Sequence, residues 1–250
     1  MMFDLSGRVA LVTGGNGGIG LGMAKGLAAN GARLAVTGRN AAKNAAATAE
    51  LPDGTLVIEA DLTEAGACDH ALAAVIERFG RLDILVNNAG TNIRRRPEEV
   101  SDADWATVLD TNLGQLMRMT RGAYPHLKAH GVGRVVNVAS IMSLFGLPFS
   151  PAYAASKGAV VQYTKVLATA WATDGITANS ILPGWIETEL TDGARAEVPG
   201  LYEKQIARTP MGRWGRPQDL AGIAAFLASD AAAFITGTAI PVDGGFASMG

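Results

Sequence analysis

The sequence predicts an α/β fold: a single domain over residues 1–250, built on a doubly wound parallel sheet of about seven strands flanked by helices. Three observations carry this. Short apolar runs alternate with helical patterns of ten or more residues along nearly the whole chain, the mark of βαβ units. A glycine cluster directly follows the first apolar run. No internal repeat, composition shift or linker divides the 250 residues, a length that one core can serve.

The elements come in order. RVALVT at 8–13 is an apolar run ending in glycines, and 21–30 follow as an Ala- and Leu-rich helix. RLAVT at 33–37 repeats the strand pattern, and 40–50 the helical one. TLVIEA at 55–60 and LDILVN at 82–87 make the third and fourth strands, with a helix over 65–79 between them. Trp105 to Lys128 has helical period, RVVNVA at 134–139 is strand-like, and 152–173 is a long helix. ITANSIL at 176–182 is the sixth strand, Pro217 opens a helix to Ala228, and 238–242 close the set as a short strand. Only 185–215 breaks the rhythm. It holds Pro199, Pro210 and Gly212 and keeps no steady period. After a strand end, such a segment is either a lid over a site or a passive surface excursion.

Composition narrows the function classes. Hydrophobic residues are 48% and charged residues 18%, which excludes a disordered chain and suits apolar surface covered in an oligomer. The net charge of -2, from 21 basic and 23 acidic residues, provides no basic field for nucleic acid. Arg94, Arg95 and Arg96 are too short a cluster to change that. Cys68 is the only cysteine, so an intramolecular disulfide and a cysteine-rich metal site are excluded. His126 and His130 can share a helix face, yet no third ligand is suitably spaced, and no metal is expected. No signal-peptide pattern and no apolar stretch of about 18 residues is visible, so the expectation is a cytoplasmic protein without a membrane span.

TGGNGGIG fills 13–20, with Gly14, Gly18 and Gly20 in G-x-x-x-G-x-G spacing. Glycines permit a tight turn and close backbone approach to a bound group. The helix N-terminus behind them offers unpaired N–H groups to phosphate. After the first strand of a βαβ series, this points to a dinucleotide and a Rossmann fold. No GK[ST] follows, so it is not a P-loop. The second strand would then read the adenosine ribose. It ends Thr37-Gly38-Arg39-Asn40, with no carboxylate to repel a 2′-phosphate and with Arg39 able to pair with one. NADP is therefore expected over NAD; an Arg39 that points to solvent, or stacks on adenine without selectivity, is the alternative. Asp61 closes the third strand, to bond the adenine amino group or to cap the next helix.

At 153–157 the chain reads YAASK. On a helix, Tyr153 and Lys157 share one face; a core aromatic beside a surface lysine is the plain alternative. With TGGNGGIG, Asp61, NNAG at 87–90, Asn112, Ser140, PGWIET at 183–188 and VDGG at 242–245, all in order and at ordinary spacings, the chain resembles the short-chain dehydrogenase/reductase family over nearly its full length. The resemblance implies an NAD(P)-dependent oxidoreductase that interconverts a secondary alcohol and a ketone. It implies that Tyr153 is the general acid/base at the substrate oxygen. Lys157 would lower the tyrosine pKa, ordinarily about 10, and bond the nicotinamide ribose. Ser140 would orient the substrate oxygen, and Asn112 would hold a water near the lysine.

The cofactor contacts it implies are Gly14, Asn16, Gly18, Ile19 and Gly20 of the loop, and Arg39, Asp61 and Leu62 at the adenosine end. Asn88, Ala89 and Gly90 would line the ribose side. Pro183, Gly184, Ile186 and Thr188 would meet the nicotinamide end. A turn role for Asn88 and a helix-cap role for Thr188 are the alternatives. Two departures stand out: Gly17 occupies a place where many NADP-using relatives carry a basic residue, and Ala139 precedes Ser140 in place of a frequent serine.

Within the family, the chain is similar to sugar-acid enzymes of the gluconate 5-dehydrogenase and 2-dehydro-3-deoxy-gluconate 5-dehydrogenase types. GLGMAKGLA at 20–28, the arginines after NNAG and MGRWGRPQDLAG at 211–222 carry that similarity. A sugar acid needs a cationic anchor, and Arg94 is the first choice among the three arginines, with plain solvation the alternative. Met142, Ser143, Leu144, Phe149 and Trp185 are candidates for the pocket wall beside Ser140 and Tyr153. These apolar candidates also suit a β-ketoacyl thioester, a cyclic ketone or another hydrophobic carbonyl. A non-catalytic nucleotide-binding scaffold is a third class, opposed by the intact Asn112, Ser140, Tyr153 and Lys157. The resemblance further implies a homotetramer, with helices 103–128 and 152–173 packed on their mates and a second contact from 217–228 and the last strand. Ala154, Ala155, Gly158 and Ala159 permit close approach there, or pack only on their own sheet.

Overall fold

The computed structural model describes residues 3–249. Strands β1 (Val9–Val12), β2 (Arg33–Gly38) and β3 (Leu56–Glu59) alternate with helices α1 (Gly18–Ala29), α2 (Ala41–Glu50) and α3 (Ala67–Phe79). The second half runs β4 (Ile84–Asn87), α4 (Asp102–Leu109), α5 (Gln115–Lys128), β5 (Arg134–Val138), α6 (Pro151–Trp171) and β6 (Thr177–Pro183). It ends with α7 (Glu189–Glu197), α8 (Leu201–Ala207), α9 (Ala221–Ala228) and β7 (Ala239–Val242). All seven strands are parallel and lie in the order β3-β2-β1-β4-β5-β6-β7. The expected doubly wound sheet is therefore present. The order reverses between β1 and β4, and a ligand crevice opens at such a reversal, beyond the carboxyl ends of the strands.

The apolar runs are continuous because both faces of the sheet are covered. Along β1, Ala10 and Val12 join one core with Met23, Leu27 and Leu227, while Val9 and Leu11 join the other with Leu72 and Met119. This period of two recurs in β4, where Ile84 and Val86 face α1 and α9, and Leu85 faces α3 and α5. Among the described residues, no helix is long and apolar enough to cross a membrane, and no cluster of three His, Cys, Asp or Glu side chains could hold a metal ion.

Three elements differ from the periodicity reading. The single helix expected over 105–128 is two helices joined by a π turn at Asp110–Gly114. It also starts earlier, because the Ser101 hydroxyl accepts the Asp104 N–H at 3.0 Å as an N-cap. The aperiodic stretch 185–215 holds α7 and α8, helices of 9 and 7 residues that are too short to display a period. The helix expected from Pro217 begins as a 3-10 turn, Pro217–Leu220, before α9.

Asp83 ties the amino ends of β1 and β4 together. Its carboxylate is fully buried, accepts the Val9 N–H at 2.8 Å and takes a two-point contact from Arg81. Removing one partner of a buried pair leaves the other uncompensated. Asp83→Ala should lower the unfolding free energy by about 3 kcal/mol in urea denaturation. Lys25→Ala, which breaks an exposed pair with Glu50, should cost less than about 1 kcal/mol.

Candidate active site

The glycine loop takes its shape from β4. Thr13 Oγ1 accepts the backbone N–H groups of Asn88 at 3.0 Å and Ala89 at 3.1 Å. The Asn88 amide donates in return to the carbonyls of Thr13 at 3.1 Å and Gly14 at 3.0 Å. Gly14 turns with φ +60°, which disfavours any side chain there. Gly20 lies behind the loop: a Cβ on it would stand 2.2 Å from the Gly14 carbonyl oxygen and 2.5 Å from the Asn88 amide. The loop opens onto a cleft of about 570 Å³ that runs from Arg39 and Asp61 to Tyr153 and Lys157. Every expected cofactor contact lines that cleft except Gly20, whose part is to let the loop close. A tight positive-φ turn that leads into the twelve-residue α1 fits a dinucleotide's pyrophosphate.

At the adenosine end, Arg39 is 71% exposed and lies 3.7 Å from the Asp61 carboxylate. Asp61 accepts the Thr63 hydroxyl at 2.6 Å and its N–H at 3.0 Å, and these bonds, with the Arg39 charge, hold its carboxyl below the usual range. Asn16 is tied through Asn44 to the end of β2. Lys43, which the sequence reading passed over, lines the same end and pairs with Glu189 at the start of α7. Thr188 precedes α7, where its N–H donates to Thr191 Oγ1 at 2.9 Å, so the cap and the cleft wall are the same residue.

At the other end, Tyr153 and Lys157 do share one face of α6, and the lysine is buried, not on the surface. Its ammonium donates to the Val138 carbonyl at 2.7 Å and stands 5.6 Å from the centre of the Tyr153 ring. Burial lowers its pKa from the ordinary 10.5 to about 8. Tyr153 differs from the lowering expected of it. Burial raises its pKa, and the opposing influences are the facing Ser140 hydroxyl and the Arg94 charge. Lysine at such a depressed pKa loses its charge above pH 8, before the phenol loses its proton. Ser140, at the end of β5, accepts the Met142 N–H at 3.1 Å. Asn112, in the π turn, does not face the cleft: its amide is spent on Thr91 N–H at 2.7 Å, Thr91 C=O at 2.9 Å and Ser156 Oγ at 3.0 Å. Its side chain positions the Thr91 backbone and α6, both amide protons are used, and Oδ1, with one bond accepted, keeps a second lone pair for a water.

A second cavity, of about 290 Å³, meets the cleft at Ser140, Tyr153 and Gly184 and extends under α7 and α8. Arg94, Met142, Phe149 and Trp185 all line it. Ser143 and Leu144 do not: the Ser143 hydroxyl donates to the Lys157 carbonyl at 2.9 Å, and Leu144 is turned to solvent. Arg94 is only 18% exposed and reaches across to Glu197 at 3.2 Å and to the Leu190 carbonyl at 2.9 Å. Arg95 and Arg96 point away, to Asp104 and Glu98. Trp185 also stacks on the buried Trp214, 5.4 Å between ring centres, so it is both wall and packing. Asn92, Lys204 and Gln205 complete the polar lining and were not foreseen from sequence.

Comparison with known proteins identifies the family. A family model described as Enoyl-(Acyl carrier protein) reductase matches residues 14–247. Gluconate 5-dehydrogenase of Gluconobacter oxydans (strain 621H) is 39% identical over 249 residues, 98% of this chain and 96% of that one. 2-Dehydro-3-deoxy-D-gluconate 5-dehydrogenase of Bacillus subtilis (strain 168) is 38% identical over 248 residues, 98% of this chain and 97% of its own. The crystal structure of a gluconate 5-dehydrogenase from Burkholderia cenocepacia J2315 in complex with NADP and tartrate superposes with a TM-score of 0.93 at 37% identity, covering 100% of this chain and 98% of that one. The chain belongs to the short-chain dehydrogenase/reductase family and is an NAD(P)-dependent oxidoreductase.

The buried lysine makes stability depend on pH. Unfolded, the lysine holds its proton to its ordinary 10.5; folded, it releases it near 8. The unfolded chain therefore binds more protons between those values, and the burial penalty eases as pH rises. For the ligand-free protein, the unfolding free energy should gain up to ~3 kcal/mol from Lys157 between the two pKa values. Lys157→Met should remove that gain in denaturant titrations across the same range; an identical slope in the variant would contradict the assignment.

Proposed function

We propose that this family member interconverts the keto and hydroxy forms of a sugar acid, such as gluconate or 2-dehydro-3-deoxy-gluconate, and prefers NADP to NAD. One observation carries the substrate class: a sheltered guanidinium, Arg94, on the wall of the small cavity that Ser140 and Tyr153 also line. Two of its donors engage Glu197 and Leu190, and a guanidinium has five, so donors remain for a carboxylate. Lys204 adds a second cation to the same cavity. The relatives named above act, by their names, on such acids.

The nicotinamide supplies or accepts the hydride when it is bound. The chain's own residues orient the substrate and move the proton. Ser140 Oγ holds the substrate oxygen by a hydrogen bond. Tyr153 gives that oxygen a proton in reduction and takes it back in oxidation. A raised phenol pKa keeps Tyr153 protonated and ready as the acid, and the Lys157 ammonium, when charged, favours the phenolate that remains. The apolar walls, Met142, Leu147, Phe149 and Leu201, support a second reading, a hydrophobic carbonyl substrate. For the coenzyme, the absence of a carboxylate after β2 and the open Arg39 and nearby Lys43 support a 2′-phosphate. Apolar side chains at Trp105 and Val166 on α4 and α6, and at Phe234 and Met249, support burial between copies in a cytoplasmic homotetramer.

Initial rates with NADPH should give the highest kcat/KM for a keto sugar acid, above an acetoacetyl thioester and a cyclic ketone. The highest value on either of the latter would move the assignment to the second reading. On the best substrate, Tyr153→Phe should lose at least about a hundredfold in kcat while NADPH fluorescence titration gives the wild-type Kd. Full turnover would remove the proton-transfer role.

Arg39→Ala should raise the Kd for NADPH about tenfold and leave that for NADH within about twofold. Equal changes for both coenzymes would remove the phosphate contact.

A further inference from the structure

Six buried side-chain polar atoms have no hydrogen-bond partner among the described residues: Asn87 Oδ1, Asn92 Oδ1, Thr177 Oγ1, Trp185 Nε1, Gln205 Oε1 and Trp214 Nε1. Three of them, those of Asn92, Trp185 and Gln205, line the one small cavity beside Ser140 and Tyr153. Each is a buried polar atom left without a hydrogen bond, which folded proteins seldom keep without a use. Gln205 is the deepest, 3% exposed on α8, within a helix that otherwise covers the cavity. Asn92 cannot turn away to find a partner, because its amide nitrogen is fixed to Ser150 Oγ at 3.1 Å. Trp185 is held by its stack on Trp214.

We infer that Gln205, with Asn92 and Trp185, reads substrate hydroxyl groups, and that Gln205 is the specificity-determining residue that sets a polyhydroxylated carbonyl apart from an apolar one. The inference rests on the proposed assignment of this cavity to the substrate, and it separates the two substrate classes left open there. Amide oxygens accept hydroxyl protons, and the indole N–H donates to a hydroxyl oxygen. A polyol chain pairs all three groups. An alkyl chain or a cyclic ketone leaves all three desolvated and unpaired, and a site built to hydrogen-bond a hydroxyl discriminates most strongly against a ligand that lacks one. The carboxylate is left to Arg94 and Lys204, so acid and hydroxyl recognition fall to different side chains.

Gln205→Leu replaces the amide with an apolar group of similar size. With NADPH saturating, KM for a keto sugar acid and for a neutral ketose should each rise about tenfold. For a hydroxyl-free cyclic ketone, kcat/KM should rise, because the unpaired oxygen is gone. NADPH affinity and thermal midpoint report on folding, and Gln205→Met is the second variant should the leucine not fold. An equal loss on all three substrates, or no change in KM for the two polyols, would overturn the inference. A wild-type enzyme that favours the neutral ketose over the acid overturns the sugar-acid reading alone; the selective loss in Gln205→Leu then still upholds the hydroxyl reader. A wild-type enzyme that favours the cyclic ketone overturns both.

Discussion

Helix α6 is fastened to the sheet by a chain of buried polar contacts, and the reacting end of the site depends on that fastening. The Asn87 amide donates to Asn137 Oδ1 and to Thr120 Oγ1, both at 2.9 Å. Asn137 donates to Thr164 Oγ1 at 2.8 Å, and Ser180 meets the same hydroxyl at 2.8 Å. One line of side chains thus joins α5, β4, β5, α6 and β6 through the interior. Apolar packing alone would hold α6 against the sheet without fixing its register, because hydrophobic contact has no direction. Directed bonds in a dry core do fix it. With the register set, Tyr153 and Lys157 come to stand at the open end of β5, beside Ser140.

The same end of α6 carries the electrostatic load. Lys157 is buried with a single carbonyl partner, Val138, and its pKa falls to about 8. Tyr153 is pushed the other way by the same burial. Burial thus moves the two pKa values apart: the phenol keeps its proton while the lysine gives up its own in mildly alkaline solution, and two perturbed groups in one cleft mark a site of proton transfer. A buried cation is costly to the fold, and its retention here, next to a mainly apolar cavity with unmet hydrogen bonds, marks a place where local stability yields to function. Arg94 bridges this region to α7 through Glu197 and Leu190, as Lys43 bridges the adenosine end to α7 through Glu189. Helix α7 is therefore pinned from both sides of the cleft.

What was legible in the sequence was what is local or repetitive. The apolar runs of β1 and β4 name themselves, since strands covered on both faces carry little polar alternation. The TGGNGGIG turn and the YAASK spacing are legible because a positive φ at Gly14 and a shared helix face at 153 and 157 are set within a few residues. The π turn around Asn112 was not, because five residues flanked by α-helix on both sides are too few to show a period of their own. Helices α7 and α8 are too short to show one. The pairing of Arg94 with Glu197 spans 103 residues, and that of Lys43 with Glu189 spans 146, so no local pattern announces either. Gln205 lies in the aperiodic stretch with no motif around it; only its burial without a partner singles it out. The pocket-facing positions of Met142, Phe149 and Trp185 were anticipated, whereas those of Ser143 and Leu144 failed because the 3-10 turn after β5 carries Ser143 to the Lys157 carbonyl and Leu144 to solvent.

The central claim is that the cavity under α7 and α8 holds an acidic substrate with its reacting oxygen between Ser140 and Tyr153. A crystal structure of the protein with NADP and a sugar acid tests it most directly. The account predicts the carboxylate within hydrogen-bond distance of the Arg94 guanidinium and one hydroxyl oxygen within reach of both Ser140 Oγ and the Tyr153 phenol. A ligand bound with its carboxylate away from Arg94, or with no oxygen near that pair, would contradict it.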